Sequence, residues 1–162
     1  MSYFPAVHLP SLWALSICLA AAIAEGALSG TGVKARIGEL RNPGFGPTVW
    51  VWVLIGMAYY VLFFFLLRSL LTLQPTIHWT VAAIALTTLL LILNASWNWV
   101  FFRKKNLRWS FLFFGPYLTV ALLLAVVLRL LGNPLLPWYL LYLAYLVWAT
   151  WWSYRVWRLN SI

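Results

Sequence analysis

Five long apolar runs divide this chain, and they limit its fold more than any single motif does. They cover roughly residues 11–28, 48–71, 77–102, 111–131 and 135–157. Each is close to the about 20 residues that an α-helix needs to cross the hydrocarbon core of a bilayer. None alternates with the period of two that marks a half-buried strand. In lipid no water is available to backbone amides and carbonyls, so a spanning segment bonds within itself as a helix. The expected fold class is therefore all-α, an integral membrane bundle of five transmembrane helices forming a single domain over residues 1–162. Composition agrees: 65% of the chain is hydrophobic and 8% charged, where a soluble domain carries about 25% charged residues. Residues 1–10 hold no Lys or Arg. The first run therefore lacks the positive leader of a signal peptide and reads as a retained helix.

The connections set the orientation. Five spans put the N-terminus and the second and fourth loops on one side, with Arg68 and Arg129. The other side receives Lys34, Arg36, Arg41, Arg103, Lys104, Lys105, Arg108, Arg155 and Arg158. Nine basic residues against two predict, by the positive-inside rule, an outer N-terminus and a cytoplasmic C-terminus. A net charge of +9 also raises nucleic acid as a partner. Here the basic residues punctuate apolar runs, so they read as membrane flanks, with no nucleic acid expected. Residues 29–47 form the longest loop, Gly-rich and carrying Pro43 and Pro47, and loops of that length are commonly functional or disordered. The short Gly132-Asn133-Pro134 connection makes the last two helices antiparallel neighbours.

Reactive chemistry is sparse. One cysteine, Cys18, allows no disulfide within the chain. His8 and His78 lack metal-ligand spacing. There is no nucleophile elbow, HExxH, P-loop or pair of close carboxylates. Hydrolytic chemistry is therefore not expected, although photochemical or radical reactions need none of these motifs.

Polar groups in lipid are costly and need a reason. Asn94, Trp97, Asn98 and Phe101 fall at i, i+3, i+4 and i+7 and share one helical face. Two carboxamides and two rings on one stripe suit a planar, partly polar ligand; the same amides also serve as packing glue between helices. On the last helix Tyr145, Trp148, Trp152 and Arg155 share a face. Trp151, Trp152, Tyr154 and Trp157 read as an interfacial aromatic belt, whereas Tyr145 and Trp148 lie deeper. Glu25, the one acidic residue in a span, is expected to pair with a base such as Lys34 or Arg103; a ligand contact or proton relay is the alternative. Gly26 and Gly30 have the GxxxG spacing of close helix contact or of a homodimer.

Three segments resemble the TspO/MBR family (tryptophan-rich sensory protein, translocator protein, peripheral benzodiazepine receptor). They are Pro43-Gly-Phe45-Gly-Pro47-Thr-Val-Trp50 with Tyr60 beyond it, Asn94-Ala-Ser-Trp97-Asn-Trp-Val-Phe101-Phe102, and Tyr142-Leu-Ala-Tyr145 followed by Ser153-Tyr154-Arg-Val-Trp157-Arg158-Leu159-Asn160. The likeness covers nearly the whole chain, and the Asn94–Phe102 segment is its most specific part. Three places depart from it, one being the proline before the last-helix tyrosine, which is absent in either register. Gly56 stands where the family has a tryptophan, and the family's tryptophan on the last helix falls on Tyr145 or Trp148 according to register.

The resemblance implies a cytoplasmic-side cavity, capped by the first loop, that binds tetrapyrroles (protoporphyrin IX or haem), a sterol or a similar membrane lipid, for sensing or transport. It implies Trp50, Tyr60, Asn94, Trp97, Phe101, Tyr145 and Trp148 around the ligand, with Pro43, Phe45 and Pro47 shaping the lid and Arg36 and Arg41 near the propionates. It further implies a homodimer and is consistent with either a bacterial plasma membrane or a mitochondrial outer membrane; the lack of a targeting tail makes the bacterial one the expectation. Light- and oxygen-dependent porphyrin degradation and a non-binding scaffold that shares the fold are the rival readings.

Overall fold

The computed structural model describes residues 8–44, 46–73 and 78–161, and every element in them is helical. The elements are α1 (His8–Ser29), α2 (Val33–Glu39), α3 (Val49–Thr72), α4 (His78–Asn98) with a π-helical turn (Trp99–Arg103), α5 (Leu107–Leu112), α6 (Phe114–Leu130) and α7 (Leu136–Leu159). Phe45, and Ile77 where the third span is expected to start, lie outside the described residues.

Four helical stretches among the described residues have the length and hydropathy of a membrane span: Leu9–Ser29, Val49–Thr72, His78–Arg103 and Leu107–Leu130. Their most apolar windows are only 11–33% buried. Leu12, Leu19, Ile23, Leu54, Leu123 and Val126 point outward. A soluble helix hides its apolar stripe, so outward faces of this kind need lipid as their solvent. α7, at 24 residues, is shorter only than His78–Arg103 among them. Its five Trp, four Tyr and two Arg lower its mean hydropathy below that of a plain span.

Local chemistry explains the boundaries. Helix begins again at Leu107, a turn before residue 111, because Asn106 caps it: the Asn106 Oδ1 accepts from the Trp109 amide at 3.0 Å. The break after Leu112 follows from Pro116, which has no N–H to offer the carbonyl four residues earlier. Gly30 closes α1 at φ +73°, its amide bonded to the Gly26 carbonyl at 3.2 Å. The second glycine of the GxxxG pair is thus a helix terminator. Residues 29–47 are not all loop, since α2 occupies their centre.

α1 packs on α3 and α4, α4 on α6, and α6 on α7, while α3 meets α7 along a narrower seam. These contacts close a ring. α6 and α7 are antiparallel neighbours, as their short connection predicts. Tyr139 donates to the Ala121 carbonyl at 2.9 Å and Tyr142 to the Tyr117 hydroxyl at 3.1 Å. At the end of the bundle away from α2, Phe63, Leu66, Leu67, Leu70, Leu124 and Leu128 are fully buried. Lipid tails are as apolar as these side chains, so close packing and interhelical hydrogen bonds hold this end together. Asn133 secures the α6–α7 turn to α3: its Nδ2 donates to the Ser69 Oγ at 3.1 Å, and its Oδ1 accepts from the Leu135 amide at 2.9 Å.

Candidate functional site

At the opposite end the ring does not fill. All five long helices and α2 line a cavity of about 300 Å³, at the small end of the about 300–1,000 Å³ usual for ligand sites. The ends that meet there are the C-termini of α1, α4 and α7 and the N-terminus of α3. The basic connections of the sequence lie at those same ends.

The polar part of the cavity converges on Glu25 of α1. Its Oε2 accepts from the Tyr60 hydroxyl of α3 at 2.6 Å and from the Asn94 Nδ2 of α4 at 2.7 Å. The Asn94 Oδ1 accepts from the Tyr117 hydroxyl of α6 at 3.4 Å. The Tyr117 oxygen in turn accepts from Tyr142 of α7 at 3.1 Å. One connected network therefore takes a side chain from each of the five long helices. Such groups in a low-dielectric interior are costly when unpaired and rigidifying when paired. The expected partners of Glu25 are not there: no Lys or Arg comes within 4 Å of its carboxylate among the described residues, and the two ion pairs found both use Glu39. Lys34 on α2 and Arg103 at the close of the π turn are exposed to water, whereas Glu25 lies a turn inside α1 and turns to neutral donors across the bundle.

The remaining walls are aromatic. Trp97 stacks on Phe101 (centroids 4.9 Å apart, 15° between planes), and its Nε1 donates to the Ser110 carbonyl at 3.0 Å. Trp52 meets Trp152 edge to face at 5.0 Å. The π turn bears on this geometry. The Lys104 amide reaches back five residues to the Trp99 carbonyl at 3.0 Å. The wider turn brings both Phe101 and Phe102 to the cavity.

A lid covers the open end. Val33 and Ile37 of α2 line the cavity. Leu40 packs with Phe101, Trp152 and Val156. Arg41 and Asn160 hold each other in a two-way clamp: the Arg41 amide donates to the Asn160 Oδ1, and the Asn160 Nδ2 donates to the Arg41 carbonyl, both at 3.0 Å. Gly46 turns the following strap back on itself, its amide bonded to the Pro43 carbonyl at 2.7 Å. A Cβ there would sit 3.2 Å from that oxygen, which disfavours any other residue.

Against this geometry the sequence-derived residues divide. Asn94, Trp97, Asn98, Phe101 and Tyr145 line the cavity together. Tyr60 stands behind Glu25 and reaches the site through its hydroxyl. Trp148 lies behind Trp52 and Tyr145, at 6.1 and 5.9 Å between ring centroids. Trp50 is 78% exposed and faces outward; the indole of α3 in the wall is Trp52. Trp52, Gly56 and Tyr59 fall at i, i+4 and i+7, a stripe legible in the sequence that excludes Trp50. Pro43 is buried and Pro47 half-buried, but neither lines the cavity. Arg36 and Arg41 do not line it either. Arg36 is taken up by Glu39 at 3.5 Å and by the Lys105 carbonyl at 3.2 Å. Trp152, expected in an interfacial belt, is 3% exposed and forms part of the wall, its Nε1 buried with no hydrogen-bond partner. Trp151 and Tyr154 do lie on the surface. Tyr117 is not expected at the site from the sequence, and Tyr142 figures there only within the family-like segment, with no site role. The available signal was that a tyrosine inside an apolar run must find a partner for its hydroxyl.

Among the described residues no three of His, Cys, Asp and Glu come together as metal ligands. Glu25 is the one carboxylate at the cavity. This arrangement equips the site to hold and orient a ligand. Comparison of the chain with family models, curated proteins and solved structures gives no match.

Proposed function

We propose that this is a five-span membrane protein, N-terminus outside and C-terminus cytoplasmic, that binds a hydrophobic planar ligand in the cavity for sensing or transport. α7 is the fifth span, an aromatic-rich helix whose Trp and Tyr residues serve the cavity as well as the lipid boundary. Tetrapyrroles, protoporphyrin IX and haem, are the first ligands to test, in line with the resemblance to the TspO/MBR family. The observation that carries the reading is an aromatic-walled hollow at the end of the bundle, lined by the carboxamide–indole stripe of α4 and centred on a polar network from all five long helices. Flat aromatic walls offer stacking faces, and a few fixed polar groups set orientation.

The test is titration of the purified protein in lipid nanodiscs with protoporphyrin IX, following tryptophan fluorescence. Saturable quenching is expected, weakened several-fold by Trp97→Ala and by Asn94→Ala. Quenching that does not saturate, or that both variants leave unchanged, would refute the assignment.

A further inference from the structure

Taking the cavity to be the site of a planar hydrophobic ligand, we propose that it selects a cationic one, a flat aromatic whose positive charge settles against Glu25. The first observation is the charge of the lining. Its 22 residues include one charged side chain, Glu25, and no Lys, Arg or His. The chain carries a net charge of +9, yet its basic residues stay outside the cavity. Arg36 is spanned by Glu39 and the Lys105 carbonyl, and the backbone at Arg41 is clamped to Asn160. An anionic group inside would therefore meet a carboxylate and no counter-charge, so the propionates of a tetrapyrrole held here would have to stay at the basic rim.

The second observation is how Glu25 is held. Its Oε2 accepts from two neutral donors, Tyr60 and Asn94, with no protein cation within 4 Å among the described residues. Those donors fix the carboxyl group in place and bring no positive charge to it. A ligand cation supplies the missing charge. The third observation is the wall itself. Tyr59, Tyr145, Trp97 and Trp52 line the same hollow, and the negative faces of their rings attract a cation most when it is stripped of water. The basic rim does not cancel this preference. Most rim charges stand in water, where salt screens them over about 8–10 Å, and Arg36, whose side chain is only 12% exposed, is held against Glu39 at 3.5 Å. Glu25 acts across a low-dielectric gap with little screening.

The test uses two probes of nearly the same shape, N-methylacridinium, a permanent planar cation, and acridine kept neutral by mildly alkaline buffer. Each is titrated against the full chain in zwitterionic nanodiscs, with empty discs as the blank, following quenching of tryptophan fluorescence. The expected result is saturable binding of the cation at least about tenfold tighter than acridine, the scale of a desolvated cation–π and ion-pair contact. Glu25→Gln should remove that preference, and Glu25→Asp, which keeps the charge, should retain most of it. A single cooperative thermal transition for Glu25→Gln, its midpoint lowered by no more than the ionic share of its hydrogen bonds, shows that the loss is not misfolding. Equal affinities for the two probes, or a preference that survives Glu25→Gln, overturns the inference. If protoporphyrin IX binds while N-methylacridinium does not, the charge selection fails and the ligand-binding reading stands. If none of the three binds, both fail.

Discussion

Replacing Tyr60 by Phe removes one oxygen and little else. The ring keeps its edge-to-face contact with Tyr59, 5.1 Å between centroids. What disappears is the 2.6 Å hydrogen bond to the Glu25 Oε2, which joins α3 to α1. A hydrogen bond to a charged acceptor contributes about 1.5–3 kcal/mol in water-soluble proteins. In bilayers, double-mutant cycles average about 0.6 kcal/mol and reach about 1.7, because separated helices find other partners. The short distance and the ionic acceptor place this bond in the upper part of the membrane range. Tyr60→Phe should therefore cost about 1–2 kcal/mol. Pairing it with Glu25→Gln isolates the ionic share. A charge-assisted bond is roughly twice as strong as a neutral one, so the coupling between the two substitutions should be about 0.5–1 kcal/mol. Reversible unfolding in mixed micelles of rising SDS fraction measures all four proteins. A Tyr60→Phe cost below about 0.3 kcal/mol, under the usual scatter of additive pairs, would refute the claim that the hydroxyl bonds the carboxylate in lipid. So would zero coupling.

Two further perturbations separate the cavity from its lid. Gly56 lines the cavity, and a Cβ built on it meets no heavy atom within 4 Å. Gly56→Trp should therefore enter the hollow without a clash at its Cβ and occupy much of it, with a helix-propensity gain of about 0.5 kcal/mol at most. Binding of protoporphyrin IX should fall at least tenfold, and unchanged binding would place the ligand elsewhere. Asn160→Ala removes both bonds of the clamp on Arg41. Ligand dissociation, measured by stopped-flow, should speed up several-fold, and hydrogen exchange at the Arg41 amide should accelerate, with the unfolding midpoint little changed because the clamp is solvent-exposed. Exchange at Arg41 as slow as in the parent protein would show that the lid closes by other means.

The amino-acid order alone settles the class of this protein. Hydrocarbon-length apolar runs leave the backbone no partner but itself, so helices follow, and the clustering of nine basic residues at one set of ends follows from the same reading. It also settles which residues share a face. The Asn94–Phe101 stripe is a consequence of helical period and reaches the cavity intact. Position relative to other helices is a different matter. Trp50 and Trp52 are equivalent as residue types, and only the rotation of α3 in the bundle turns one to lipid and the other inward. Trp152 reads as a boundary tryptophan until Leu40 and Phe101 are found packed on it. Glu25 has bases nearby along the chain, yet its donors come from residues 35 and 69 positions away. Local spacing cannot encode that choice. It is made when five helices close around a shared low-dielectric space, where an unpaired polar atom is too costly to leave and the nearest donor in three dimensions takes it.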